Sequence, residues 1–337
     1  MEVQRATITA VGHYVPDKIL TNADLEKMVE TSGEWIVTRT GIHERHILEQ
    51  GATSDLAVRA IQQLLDTRKM DATEIDLIIV ATITPDMVFP ATACVVQNKI
   101  GAKNAWAFDL SAACSGFLYA LSVGTRFIES GTHKKVVVVG ADMMSSITDY
   151  TDRNTCILFG DAAAAVLLEP TGEREYGILD QRLYANGAGG DALHMKAGGS
   201  LYPPTHETID KKMHYVYQDG KTVFKSAVVG MADVAAEIMQ RNHLKGEDIA
   251  WLVPHQANLR IIDATARRME IDSNKVMINI DRYGNTTAAT IPLCLSEWWQ
   301  RGLLKRGQNI VLAAFGAGYT WGATYIKWSL ANTGVNA

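Results

Sequence analysis

The sequence predicts an α/β fold built from two related halves. Short β-branched runs alternate with longer segments of helical period, and one pattern of strand, turn, helix, loop and strand occurs twice. The composition permits this. Of 337 residues, 47% are hydrophobic and 20% charged, the balance of a globular chain with a sizeable core and not of a disordered one.

Taken in order, strands are expected at Leu77 to Thr82, Val136 to Gly140, Ile249 to Val253 and Ile310 to Ala314. Each is an unbroken apolar run, the mark of a strand covered on both faces, which points to mostly parallel sheets. A helix is expected after Cys114, because Phe117, Leu121, Val123, Phe127 and Ile128 recur near helical period. The repeated pattern runs first from AFDLSAACSGF to KKVVVVGAD and again from INIDRYGNTTAAT to NIVLAAFGAG, its helices ending before Gly131 and Gly302. Matching strand entries, EIDLIIVAT and EDIAWLVPH, lie upstream of the copies. Two halves, 1–170 and 171–337, are therefore expected to pack about a pseudo-twofold axis, with the boundary near Pro170. Laying Phe108 on Asn279 sets Cys114 over Asn285. Both then fall where a strand ends and a helix begins, the edge at which open α/β sheets bind ligands.

Composition also excludes some functions. The formal net charge of −5, from 32 Lys+Arg against 37 Asp+Glu, argues against a dedicated nucleic-acid binder. The four cysteines, Cys94, Cys114, Cys156 and Cys294, form no CxxC pair and have no His at zinc spacing, so the chain reads as reduced and cytosolic. His43 and His46 have an H-x-x-H look but no further ligand nearby, so no metal is expected. The opening MEVQRATITAVGHYVP has no basic stretch followed by a long apolar core, and the apolar runs fall far short of the ~18 residues that span a bilayer. A cytoplasmic protein is expected. No Rossmann or P-loop glycine motif follows a strand.

Cys114 is the candidate nucleophile. A thiol at a helix N-terminus feels the positive end of the helix dipole, which favours the reactive thiolate. Its neighbours Ser111, Ala112, Ala113, Ser115 and Gly116 are small, so a substrate can approach. On this segment alone, a packed and inert thiol is the simpler reading. The second half adds His255, which follows a strand-ending proline and precedes polar Gln256 and Asn258. A Cys, a His and an Asn at one sheet edge supply a nucleophile, a proton-handling group and a polar orienter. A papain-like hydrolase uses the same three types, but the duplication and the context of Cys114 disfavour it.

The segments AACSGF, VPHQANLRI, YGNTTAAT and FGAGYTWGA, with EWIVTRTGI and FPATAC, resemble the β-ketoacyl-acyl carrier protein synthase III family from about Ile8 to Trp328. The resemblance implies a thiolase-like fold, with its two halves forming a layered αβαβα core. It implies that Cys114 takes an acyl group from an acyl-CoA, and that His255 and Asn285 stabilise the enolate formed when a malonyl-acyl carrier protein loses carbon dioxide. The product is then a 3-oxoacyl-carrier protein, and fatty acid biosynthesis is initiated. An oxyanion site is implied at the backbone N–H of Cys114 and of Ala317, where many relatives have Gly. The resemblance places Thr31, Trp35, Arg39, Arg153, Gly220, Phe224 and Asn258 along bound CoA, with Trp35 and Arg153 sandwiching the adenine. It places Phe89, Met144 and Phe159 at the acyl pocket, Phe89 reaching into the pocket of a partner in a homodimer. Lys225, Arg260, Arg267 and Arg268 would form a basic patch for an acidic acyl carrier protein. No cofactor is expected, since acyl-CoA is a substrate. Three rivals remain: a related acyltransferase of a specialised-metabolite pathway with another acceptor, a non-catalytic binder of acyl carriers, and a thiol hydrolase.

Overall fold

A computed structural model describes residues 4–331. The outermost ends of the two expected halves, 1–3 and 332–337, lie outside the described residues. Among the described residues there are thirteen strands: β1 (Arg5–Tyr14), β2 (Lys18–Thr21), β3 (Glu44–Ile47), β4 (Leu77–Ala81), β5 (Trp106–Leu110), β6 (Val136–Asp142), β7 (Ala162–Thr171), β8 (Gly177–Ala185), β9 (Leu193–Met195), β10 (Val216–Gln218), β11 (Trp251–Pro254), β12 (Asn309–Gly316) and β13 (Thr320–Lys327). The four strands expected from apolar runs are among them, with ends moved by a residue or two.

Two sheets carry the architecture. One has the order β1-β7-β6-β4-β5 and the other β11-β12-β13-β8. Read in matching directions, β8, β13, β12 and β11 take the places of β1, β7, β6 and β4. The place of β5 is held in the second sheet by one parallel bridge, Leu252 to Val276. The strand expected from INID is thus reduced to a bridge followed by a short helix, Ile280–Tyr283. The sheets are mixed and not mostly parallel. The pairs β6–β4, β4–β5 and β11–β12 are parallel, while β1–β7, β6–β7, β12–β13 and β13–β8 are antiparallel. Unbroken apolar runs signalled burial on both faces, and a sheet sealed between helix layers buries antiparallel strands equally well.

Alternation along the strands shows the layers. Leu77, Ile79 and Ala81 of β4 join one apolar cluster, Ile78 and Val80 another. Ile310, Leu312 and Ala314 of β12 face that same first cluster, while Val311, Ala313 and Phe315 face a third. The shared middle layer holds helices Gly116–Glu129 and Thr290–Gln300, through Phe117, Leu121, Ile128, Ile291, Leu295 and Trp298. Helix Thr53–Arg68 covers the outside of the first sheet, and helices Gly220–Arg241 and Leu259–Arg268 cover the outside of the second. Five layers, αβαβα, result.

The internal correspondence falls three residues from the expected one. Ala113 (φ 48°) and Thr287 (φ 49°) are each the first residue of a three-residue 3-10 turn that runs into a central helix. Cys114 therefore matches Ala288, not Asn285. The second copy holds extra residues between its strand remnant and its helix, and Asn285 lies in that extension.

Candidate active site

Cys114 owes its position to a strained turn. After β5 the chain reverses through Ala113, whose left-handed φ costs about 1 kcal/mol or more for an L residue. Two bonds clamp the turn to β13: Thr320 Oγ1 donates to the Ala112 carbonyl at 2.9 Å, and Ser115 Oγ donates to the Thr320 carbonyl at 2.9 Å. Gly316 at the end of β12 packs on the turn so closely that a Cβ there would lie 2.8 Å from the Cys114 nitrogen. Gly316 and Ala317 line the same cavity as Cys114, and Ala317 keeps its φ outside the left-handed region, so its methyl group is accommodated.

His255 follows β11, its N–H donating to the Ala313 carbonyl at 2.8 Å, and its ring is 2% exposed. Asn285 follows Gly284, which has φ 62° and presses on the Leu158 carbonyl. The Asn285 N–H donates to that carbonyl at 2.8 Å, and the Gly160 N–H donates to the Asn285 carbonyl at 3.1 Å. A loop of the first half thereby grips the loop carrying Asn285 in the second. Asn285 Oδ1 accepts the Thr287 N–H at 2.9 Å, which turns its Nδ2 toward Cys114.

Cys114, His255 and Asn285 meet in one cavity of about 820 Å3. Beyond the thiol its wall includes Ile83, Met144, Ile147, Phe159, Leu193 and Val216, an apolar cluster. Met144 and Phe159, two of the three residues expected at an acyl pocket, belong to this apolar wall. Phe89 is 83% exposed and does not line the cavity of its own chain.

Burial sets the electrostatics. It pushes the Cys114 thiol up to about 12, the charge of Asp142 adding to the effect and the Asn285 amide opposing it. The expectation of a resting thiolate is therefore reversed: a helix dipole contributes about 0.3–1 kcal/mol, less than one pKa unit, and burial outweighs it. Burial likewise depresses His255 to about 3, so the imidazole is neutral. Asp142, fully buried at the end of β6, collects the Thr82 hydroxyl (2.9 Å), the Ile83 N–H (2.8 Å), and the Thr84 N–H (3.2 Å) and hydroxyl (3.0 Å) on one oxygen. The Thr287 hydroxyl donates to the other. Asp142 ties the two halves together behind the Cys114 thiol. Sequence reading missed it, and missed Thr287 and Thr290; the available signal was an acid closing the otherwise apolar run VVVVGAD.

Of the seven residues expected along bound CoA, five line the outer part of this cavity. These are Trp35, Arg39, Gly220, Phe224 and Asn258; Thr31 and Arg153 do not line it. Thr31 Oγ1 is buried without a hydrogen-bond partner. The guanidinium carbons of Arg153 and Arg39 lie 4.5 and 4.9 Å from the Trp35 ring centroid. Arg153 rests directly on the indole, so a base can be sandwiched between them only after that side chain moves. Asn258 caps helix Leu259–Arg268 by accepting the Arg260 N–H at 3.0 Å, and its amide donates to the Arg39 carbonyl at 2.8 Å. Lys225, Arg260, Arg267 and Arg268 are exposed on neighbouring helices. Arg260 stacks over Phe224 at 4.7 Å, and Arg268 pairs with Asp233 at 3.2 Å. No group of three His, Cys, Asp or Glu among the described residues could hold a metal ion, and no described helix is long and apolar enough to cross a membrane.

A five-layered duplicated fold with Cys, His and Asn at one cavity is that of a thiolase-fold acyltransferase. Comparison with known proteins narrows the class. Residues 108–187 match the model of 3-oxoacyl-[acyl-carrier-protein (ACP)] synthase III, and residues 239–328 match that of its C-terminal part. A β-ketoacyl-acyl-carrier-protein synthase III of Chlorobium chlorochromatii is 62% identical over 96% of this chain and 99% of that protein. The crystal structure of 3-oxoacyl-acyl-carrier-protein synthase III from Aquifex aeolicus superposes with a TM-score of 0.89 at 42% identity, covering 96% of this chain and all of that one. The priming β-ketosynthase of the R1128 polyketide pathway superposes at 0.90 with 32% identity over 97% of each chain. The chain belongs to the β-ketoacyl-acyl carrier protein synthase III family.

Proposed function

We propose that Cys114, His255 and Asn285 carry out the reaction of this family, the decarboxylative condensation that initiates fatty acid biosynthesis. The observation that carries this reading is the meeting of a first-half thiol with a second-half imidazole and carboxamide at one apolar cavity. Cys114 attacks the thioester carbonyl of an acyl-CoA; the carbon–sulfur bond to CoA breaks, and free CoA leaves with the thiol proton. The N–H groups of Cys114 and Ala317 face the tetrahedral oxyanion. A malonyl-acyl carrier protein then enters. Its carboxylate leaves as carbon dioxide, and the electron pair becomes an enolate on the thioester oxygen, held by His255 and Asn285. An Asn donates without being able to act as a base, which suits enolate stabilisation. The enolate carbon attacks the acyl-Cys114 carbonyl, and expulsion of the Cys114 sulfur yields the 3-oxoacyl-carrier protein.

In this reading Trp35, Arg39 and Arg153 hold the CoA nucleotide, with Thr31 at the base and Gly220, Phe224 and Asn258 along the pantetheine arm. Lys225, Arg260 and Arg267 steer an acidic carrier protein, and Arg268 contributes less because Asp233 already neutralises it. The protein works in the cytoplasm as a homodimer, without a bound cofactor, and the exposed Phe89 enters the partner's pocket. A second reading, a priming synthase of a specialised-metabolite pathway, is supported by the R1128 relative; it shares the acyl-Cys and differs in the acceptor.

The test is intact-protein mass after incubation with a panel of acyl-CoAs, then with malonyl-acyl carrier protein. An adduct on Cys114 discharged as 3-oxoacyl-carrier protein is expected. An adduct lost only to water would mean a hydrolase, and no adduct with any acyl-CoA would overturn the reading.

A further inference from the structure

His255 serves the reaction only in one of its two neutral forms. Its ring is buried and faces a cavity in which an enolate oxygen needs a donor. The nitrogen turned to that oxygen must carry the proton, and the other ring nitrogen must then accept one. Thr290 stands at that other nitrogen. It is the first residue of helix Thr290–Gln300, is 2% exposed, and its Oγ1 lies 2.8 Å from His255 Nδ1. The same hydroxyl is 3.0 Å from the Thr287 carbonyl. One hydroxyl proton serves one acceptor at a time. The Thr287 carbonyl already accepts the backbone N–H of Thr290 and does not depend on the hydroxyl. His255 Nδ1 has Thr290 Oγ1 as its hydrogen-bond partner among the described residues.

We propose that Thr290 is a positioning residue that donates its hydroxyl proton to His255 Nδ1 and so fixes the tautomer whose Nε2–H points at the malonyl thioester oxygen. The inference rests on the role given to His255 above. It separates the half-reactions: transfer of the acyl group to Cys114 does not need this donor, and decarboxylation does. Turning the hydroxyl to Thr287 would let Nδ1 keep the proton and leave a lone pair facing the enolate, which repels it.

Two measurements test this on the full-length protein. Histidine-selective 15N NMR of the wild type is expected to show His255 Nδ1 as the unprotonated nitrogen and Nε2 as the protonated one. In Thr290→Val, nearly the same shape without a donor, the assignment should reverse or become mixed. Decarboxylation of malonyl-acyl carrier protein should fall about 10- to 100-fold, the scale of losing the outer partner that orients a metal-bound histidine, with acylation of Cys114 within about twofold of wild type. Thr290→Ser should restore both the spectrum and the rate; a purely structural contact would show neither the tautomer change nor the hydroxyl-dependent rescue. A wild-type enzyme with the proton on Nδ1, or a Thr290→Val enzyme that decarboxylates at the wild-type rate, would overturn the proposal. Should His255→Ala itself decarboxylate normally, the role of His255 fails and this proposal with it. A defective His255→Ala beside a normal Thr290→Val sinks the Thr290 role alone.

Discussion

Replacing Asn285 with alanine separates catalysis from architecture. The backbone at this position is held from both sides, by the Asn285 N–H on Leu158 and by the Gly160 N–H on the Asn285 carbonyl, so truncation leaves the loop in place. Two things are lost. The Thr287 N–H loses its 2.9 Å acceptor, which costs about 1–3 kcal/mol of stability for a buried donor. The enolate loses one of its two side-chain donors, which costs about 3 kcal/mol at the transition state, or two to three orders of magnitude in rate. Acylation uses neither effect directly. It loses only the help that the amide gives the Cys114 thiol against burial, and is expected to slow less than tenfold. The assay is paired: acyl-adduct formation by intact mass, and carbon dioxide release from malonyl-acyl carrier protein. Equal losses in both half-reactions would refute the assignment, because they would place Asn285 at the nucleophile and not at the enolate.

Two further outcomes follow from the geometry. Because burial holds Cys114 as a thiol up to about 12, alkylation by neutral iodoacetamide should keep rising with pH beyond 9 and not level off there; Asp142→Asn removes a neighbouring negative charge, favours the thiolate, and should move that rise to lower pH while costing about 1–3 kcal/mol as an amide replaces an acceptor. An unchanged alkylation profile in that variant would exclude the charge effect. Gly316→Ala places a methyl group 2.8 Å from the Cys114 nitrogen and 3.1 Å from its Cβ. It should cost about 1–3 kcal/mol in thermal unfolding through overpacking and slow acylation more than decarboxylation, and equal slowing would contradict its placement against the nucleophile turn.

Much of this was legible in the chain because burial and periodicity are local signals. The strands around Ile79, Val138, Leu252 and Leu312 announce themselves by unbroken apolar runs, and His255 by the proline and polar residues around it. Strand direction was not legible, since a run such as that of β6 looks the same whether its neighbour runs with or against it. The register of the repeat was misread because the extension around Asn285 changes the spacing without changing the pattern. The state of the Cys114 thiol was misread for a different reason: the dipole is a property of one helix, whereas the opposing burial is assembled from β12, β13 and the loop at Asn285, distant in sequence. Asp142 and Thr290 act by touching partners 58 to 145 and 35 residues away; the acid that closes VVVVGAD is a local mark of Asp142, and no local pattern marks Thr290.

The match between Ala113 and Thr287 means that the fold contains two equivalent seats for a nucleophile, one on each central helix. Cys114 lines the cavity, whereas Ala288 is buried and does not. At the other, Ala288 has no reactive group, and its carbonyl sits so near Gly140 that a Cβ there would approach within 2.2 Å. The sealed seat has been given over to Asp142 and its ring of donors. The second half, relieved of making a nucleophile, lends His255 and Asn285 across the interface instead. In the reaction proposed above neither half acts without the other, and the chain has one centre of chemistry where its symmetry would allow two.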